Sequence, residues 1–349
     1  MKRQVLSGLI LASLFLLNGV GDAVMEAPPE EIPPLYFFYA IHTHVAGDHF
    51  PYTTPSLRTL DPRIAENMVA TIEGIAEVLE HHGVKGTWEV VYGTAEGLCA
   101  YEGENHIFRR LIESGHEIGL HVHRYADYER DLRALSDICG LDVRVTSGLL
   151  TDARQAGPDG FQQVMSEGIA RHVGWGIRAA TINLSSGPLF QWCGGQIGIG
   201  NDMGGETGNL MFPWRPDYQG GNICADDPHG DFVFVDHSPM QWWTNLDGRG
   251  VADVLTDAHF ERLRTLFDAA LRYMQERRPG RAAAWGFVTH ISEYAVGNRG
   301  ENPPDPEALA ALDRFLGYVA EKAAEGRVIF ATASEIARAA FPELTGGVR

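Results

Sequence analysis

Eight short runs rich in β-branched and aromatic residues recur from residue 35 onward, and helical stretches separate most of them. The runs are 35–42, 84–92, 116–121, 143–147, 178–183, 231–236, 283–289 and 327–331. Most are apolar on both faces, as parallel strands must be when helices cover them. The helical stretches are 62–82, 108–114, 125–138, 160–173, 258–276, 306–324 and 334–340. Asp61-Pro62 and Asp305-Pro306 each supply a cap and a first-turn proline. Gly83, Gly115, Gly140, Gly174 and Gly326 supply stops. This alternation predicts an α/β fold, a (β/α) barrel of seven or eight parallel strands, complete or distorted. One connection departs from the rhythm. Residues 184–230 are rich in Gly, Asp, Asn and Pro, and form a long insert before strand six. A stretch that long without helix is usually functional or disordered.

Residues 1–23 read as a signal peptide. Lys2 and Arg3 precede an apolar run from Val5 to Leu17, and small residues follow around Gly21-Asp22-Ala23. The run is short for a bilayer span, which takes ~20 residues. Residues 24–34 are an acidic, Pro-rich leader, and 35–349 the barrel domain. The expected location is secreted or periplasmic, with no stable membrane insertion after cleavage. With 28 Lys+Arg against 46 Asp+Glu, the formal net charge is −18. Such a surface repels phosphate backbones, so nucleic acid is not an expected partner. Four cysteines allow three full pairings. In an oxidising compartment disulfides are expected, and our expectation is Cys99–Cys139 and Cys193–Cys224. No pair has CxxC spacing, which argues against a thiolate zinc site.

In a (β/α) barrel the site lies at the C-terminal ends of the strands. Four of the predicted strands end in histidines. Strand one runs into His42-Thr43-His44 and then His49, strand three into His121-Val122-His123, strand six into Asp236-His237, and strand seven into Thr289-His290. Seven of the chain's fourteen histidines sit there. Side chains two apart on a strand share a face, so His42 pairs with His44 and His121 with His123. Asp48 follows closely. Imidazole and carboxylate are the ligands that catalytic zinc takes, with an open position for water, and a divalent metal, zinc first, is the expected cofactor.

The order of these pieces resembles the polysaccharide deacetylases, the family sharing the chitooligosaccharide-deacetylase homology domain, over roughly residues 35–341. Ser114-Gly115-His116-Glu117-Ile118-Gly119-Leu120-His121 is similar to the family's second motif, G-H-E-I-G-x-H-(S/T)-x-x-H, whose last two histidines bind metal. Tyr125 stands where the final histidine would be, with His123 nearby. Val143-Arg144-Val145-Thr146-Ser147-Gly148 resembles the third motif, F-R-x-P-x-G, whose arginine orients the catalytic carboxylate. Trp285-Gly286-Phe287-Val288-Thr289-His290 resembles the fifth, an apolar strand ending in a general-acid histidine. Where the family's first motif reads T-F-D-D, this chain reads Ile41-His42-Thr43-His44.

The resemblance implies a metal-dependent deacetylase of carbohydrate amides or related esters. In that scheme His44, His121 and His123, with Asp48 as a fourth, hold the metal. His42 or Asp48 takes the proton from water, and Arg144 orients the carboxylate. His290 protonates the leaving group, and Asp236 holds an imidazole in its tautomer. Trp214, Trp242 and Trp243 lie beside polar groups, which predicts a cleft that stacks sugar rings. Two rivals share the fold: a glycoside hydrolase, with Glu89, Asp236 and Glu293 as available acids, and a non-catalytic glycan-binding barrel.

Overall fold

A computed structural model describes residues 32–43, 61–122, 127–183, 191–198, 206–237 and 254–347. The expected signal peptide (1–23), most of the expected leader (24–34), His44, Asp48, His123, Trp242 and Trp243 lie outside the described residues. The barrel belongs to a compact unit, Pro33–Arg349. Among the described helices, none is long and apolar enough to cross a membrane.

All eight predicted strands are present. In chain order they are β1 (Leu35–Thr43), β2 (Gly86–Val90), β3 (Glu117–His121), β4 (Val145–Ser147) and β5 (Ala179–Ile182). A small hairpin in the insert supplies β6 (Pro216–Asp217) and β7 (Asn222–Asp226), and β8 (Val233–Asp236), β9 (Ala284–His290) and β10 (Val328–Phe330) complete the set. The main sheet is parallel, in the order β10-β1-β2-β3-β4-β5-β8, with β9 on the other edge of β1. β10 pairs with Leu35–Phe37 at the start of β1, and β2 pairs with its later residues, Tyr39–Thr43. Among the described residues, eight helices surround or plug the sheet: α1 (Pro62–His81), α2 (Tyr92–Glu102), α3 (Ile107–Glu113), α4 (Tyr128–Cys139), α5 (Leu150–Gly174), α6 (Asp257–Arg277), α7 (Pro306–Ala324) and α8 (Ala333–Ala340).

Two helices differ from the sequence expectation. α2 carries Gly93 and Gly97, which weaken helix propensity, and its residues 93–99 are all buried, so no polar face marks it. Packing holds it in place, and the Cys99–Cys139 disulfide ties it to α4. α5 begins ten residues before the expected start, because two helical segments join across a kink at Gly157-Pro158. The second expected disulfide, Cys193–Cys224, joins the insert's first turn to β7.

Strand parity sorts the core. Leu35, Phe37, Tyr39 and Ile41 of β1 face outward into the large helix-covered cluster, as do Trp88, Val90, Ile118, Leu120, Trp285 and Phe287. Phe38, Ala40, Val145, Ala179, Val233, Val235, Ala284 and Val288 fill the barrel interior, where Ala333, Ile336 and Ala337 of α8 plug the lower end. Gly286 is required here, since a Cβ on it would fall 2.3 Å from the Phe38 ring. The inward set continues upward, by the two-residue period, to His42, Glu89, His121, Ser147, Thr181, His237 and His290.

The barrel closes between β8 and β9 without a strand ladder among the described residues. The insert fills that seam. Asn209, fully buried, donates from Nδ2 to Asp236 O (3.3 Å) on β8 and Gly286 O (3.0 Å) on β9. Leu210 N donates to Asp236 Oδ2, Ala284 N to Met211 O, and Trp214 and Phe234 exchange backbone bonds. The insert thus supplies hydrogen bonds that a neighbouring strand would have made. Asn209→Ala leaves buried carbonyls short of a donor, at about 1–3 kcal/mol each. A loss of about 2–4 kcal/mol in unfolding free energy is expected from denaturant titration. A change under about 0.5 kcal/mol, ordinary for neutral surface sites, would refute the seam's role.

His172 of α5 predicts a pH effect. Its Nδ1 lies 2.6 Å from Gly168 O and its ring packs on Tyr128, centroids 3.6 Å apart. Burial holds its pKa down at about 3, against the bond to Gly168. The unfolded imidazole titrates near ~6.5. Between those values the unfolded chain binds a proton that the folded chain refuses, so stability falls as pH falls from ~6.5 toward 3. The wild-type advantage over His172→Gln should therefore shrink by about 2 kcal/mol from pH 7 to pH 5. An equal difference at both pH values would contradict this.

Candidate active site

The C-terminal mouth of the barrel gathers the inward side chains by register. His42 stands opposite Glu89 on β2 and His290 on β9, and His121 stands opposite Ser147 on β4. Their side chains meet. His42 Nε2 is 2.6 Å from Glu89 Oε2, and His42 Nδ1 is 3.4 Å from His290 Nε2. The His42 and His121 rings lie 3.9 Å apart, and His237 is 6.1 Å from His42. His121 Nδ1 bonds Ser147 Oγ at 2.5 Å, and Thr181 Oγ1 donates to Glu89 Oε1.

One ligand atom each from His42, Glu89 and His121 lies within 4.8 Å of the others, and all three residues are buried. Burial pushes the Glu89 carboxyl upward from its usual range, against His237, Thr181, Ser147 and His290, which favour the ionised form. Burial likewise holds His237 down, while Glu89 opposes it. A bound cation would favour the ionised carboxylate and neutral imidazoles. Two imidazoles and a carboxylate form a donor set that catalytic zinc takes, so the residues present fit such an ion.

His290 is held from two sides. Its backbone N–H donates to Glu293 Oε2 (3.1 Å), and its Nδ1 lies 3.2 Å from Glu293 Oε1. Glu293 is 1% exposed and sits in the short turn directly after β9.

The structure places three of the expected site residues, His42, His121 and His290, side by side, with Glu89, Glu293, Ser147, Thr181 and His237 in contact with them or close by. Three expectations need correction. Arg144 precedes β4, at the end away from the mouth, and its guanidinium pairs with Asp142 at 2.9 Å. Asp236 has outward parity and its Oδ2 takes the Leu210 N–H, so it serves the seam. Trp214 is 1% exposed, packs on Phe234 and donates from Nε1 to Ile223 O, so it offers no face to a sugar. Of the third-motif match, Gly148 keeps a structural reason. Its φ is +83°, and a Cβ there would collide with Val122 O. Glu89 was legible as one signal: the acid on the predicted strand 84–92.

Three solved structures overlay on the chain through most of its length. A polysaccharide deacetylase structure from Mycobacterium smegmatis is 17% identical, covers 91% of this chain and 94% of its own, and has a TM-score of 0.51. One from Pseudomonas aeruginosa PAO1 is 13% identical, with coverage of 89% and 97% and a TM-score of 0.52. The fold is that of the polysaccharide deacetylases. It is also that of PuuE allantoinase, at 14% identity, 89% and 97% coverage and a TM-score of 0.51. No protein-family model and no curated protein matches the sequence. At these identities the overlay establishes the deacetylase-type barrel, and chemistry has to be argued from the mouth itself.

Proposed function

We propose that the chain is an exported, metal-dependent hydrolase that removes acetyl groups from a glycan or a related amide or ester. The observation that carries this reading is the buried His42–Glu89–His121 cluster at the catalytic end of a deacetylase-type barrel. These three residues would hold a divalent metal, zinc by donor type. Bound there, the ion would polarise an acyl oxygen and lower the pKa of water.

The protein's own groups have distinct tasks. Ser147 fixes the ring of His121 through Nδ1, as partners behind metal ligands commonly do. Thr181 holds the second oxygen of Glu89, leaving Oε2 on the side of His42. With His42 among the ligands, the base assigned to His42 or Asp48 falls to Asp48. His290 delivers a proton from Nε2 to the leaving amine, and Glu293 orients the ring through Nδ1. The expected roles of His44 and His123 as metal ligands and of Trp242 and Trp243 in stacking sugar rings belong to this proposal as alternatives that substitution can test.

The test is acetate release from acetylated chitooligosaccharides and acetylated xylan by the mature chain. Chelator treatment should abolish release and zinc should restore it. Glycan binding with no acetate release at any metal loading would replace the hydrolase by a binding barrel. Chelator-resistant cleavage of an aryl glycoside would replace it by a glycosidase.

A further inference from the structure

A second cluster of metal-ligand type lies on the outer helices, away from the barrel mouth. His81 ends α1, His82 is its C-cap residue, and Asp313 lies in α7. The two helices run side by side in the same direction, Gly74 against Leu309 and His82 against Gly317. Both imidazoles converge on one oxygen. Asp313 Oδ1 is 3.2 Å from His81 Nδ1 and 2.8 Å from His82 Nε2, and the rings lie 4.5 Å apart. One ligand atom from each residue lies within 4.8 Å of the others.

We propose that His81, His82 and Asp313 form a second divalent-metal site, of the zinc class, that clips α1 to α7. Tetrahedral zinc with bonds of about 2.0–2.2 Å sets its ligand atoms roughly 3.3 Å apart. The carboxylate contacts, at 3.2 and 2.8 Å, open by about 0.1 and 0.5 Å to reach that spacing, and the two ring nitrogens, which lie within 4.8 Å of each other, close onto the ion by rotation of the exposed His81 side chain. In place of two ring N–H groups donating to one oxygen, two ring lone pairs and that oxygen face the ion, and solvent fills the fourth position. Each ring nitrogen that turns to the ion gives up its proton, which moves to the ring's other nitrogen or to solvent. Two imidazoles select zinc, cobalt, nickel or copper over calcium and magnesium, which take oxygen ligands. The site is half open: His81 is 71% exposed at its side chain, His82 14% and Asp313 43%. An ion enters without unfolding, and at the end of α1 the helix's partial negative charge favours it.

This proposal does not depend on the barrel's metal, and one experiment separates the two. The full mature chain is stripped with chelator and titrated with zinc, read by calorimetry and native mass spectrometry. The wild type should bind two ions. His121→Ala should bind one, and so should His81→Gln/Asp313→Asn, with acetate release kept. The triple variant should bind none at the same zinc concentration. Zinc should also raise the Tm of His121→Ala and leave that of the triple variant unchanged. Glu89→Gln serves as a second background in case His121→Ala folds poorly. If the wild type binds one ion and His81→Gln/Asp313→Asn binds none, the clip stands and the barrel site fails. If His121→Ala and the triple variant bind zinc identically, the clip is overturned.

Discussion

The His121→Ala chain is expected to lose its barrel metal and to release acetate about 10³-fold more slowly than the wild type. That factor follows from the several kcal/mol of charge stabilisation that a metal supplies in the transition state. His121 carries two of the contacts that define the cluster, its ring beside His42 and its Nδ1 on Ser147. Removing the ring takes away one imidazole ligand and the contact that Ser147 makes with it. Metal content and turnover should fall together, while circular dichroism stays that of the wild type. A variant that keeps its barrel metal and full turnover would refute the assignment of His121. A variant that keeps its barrel metal with low turnover would move its role from holding the ion to the chemistry itself.

The second large effect is expected at His290. Positioned proton transfer contributes about 10²–10⁴-fold to rate, so His290→Ala should lose that much in kcat while keeping its metal. Glu293→Gln should lose less. It keeps an acceptor near His290 Nδ1 but replaces the carboxylate oxygen that accepts from the His290 backbone N–H with an amide, so the ring is held less firmly and kcat should fall with KM unchanged. A Glu293→Gln turnover equal to that of the wild type would reduce Glu293 to packing. Loss of metal from His290→Ala would place His290 among the ligands.

Strand positions were legible because each strand is an apolar run long enough to cross the barrel, and because parity then fixes which residues face inward. His42, His121 and His290 follow from that parity alone. Glu89 and Glu293 were visible only as acids, since their partners lie 47 and 3 residues away and only the register of β1 on β2 and the turn after β9 bring them in. Arg144 shows the converse. Its motif matches in spacing, but position 144 falls before β4 and its charge finds Asp142. Trp214 stands beside polar groups in the sequence, which suggested a sugar-stacking cleft. In the structure that segment lies along β8, where a large ring is needed to pack on Phe234. α2 escaped notice because burial on all sides erases the amphipathic period by which helices are read.

The central claim is that Glu89, with His42 and His121, holds the metal on which hydrolysis depends. Its most direct test is metal content with His81→Gln and Asp313→Asn in the background, so that only the barrel reports. The chain is loaded with zinc, desalted and analysed by elemental mass spectrometry, with and without Glu89→Gln. The account predicts one zinc ion per chain before the substitution and none after it, with acetate release lost in parallel. A full equivalent of zinc in the Glu89→Gln chain, released only when Asp48→Asn is added, would contradict it.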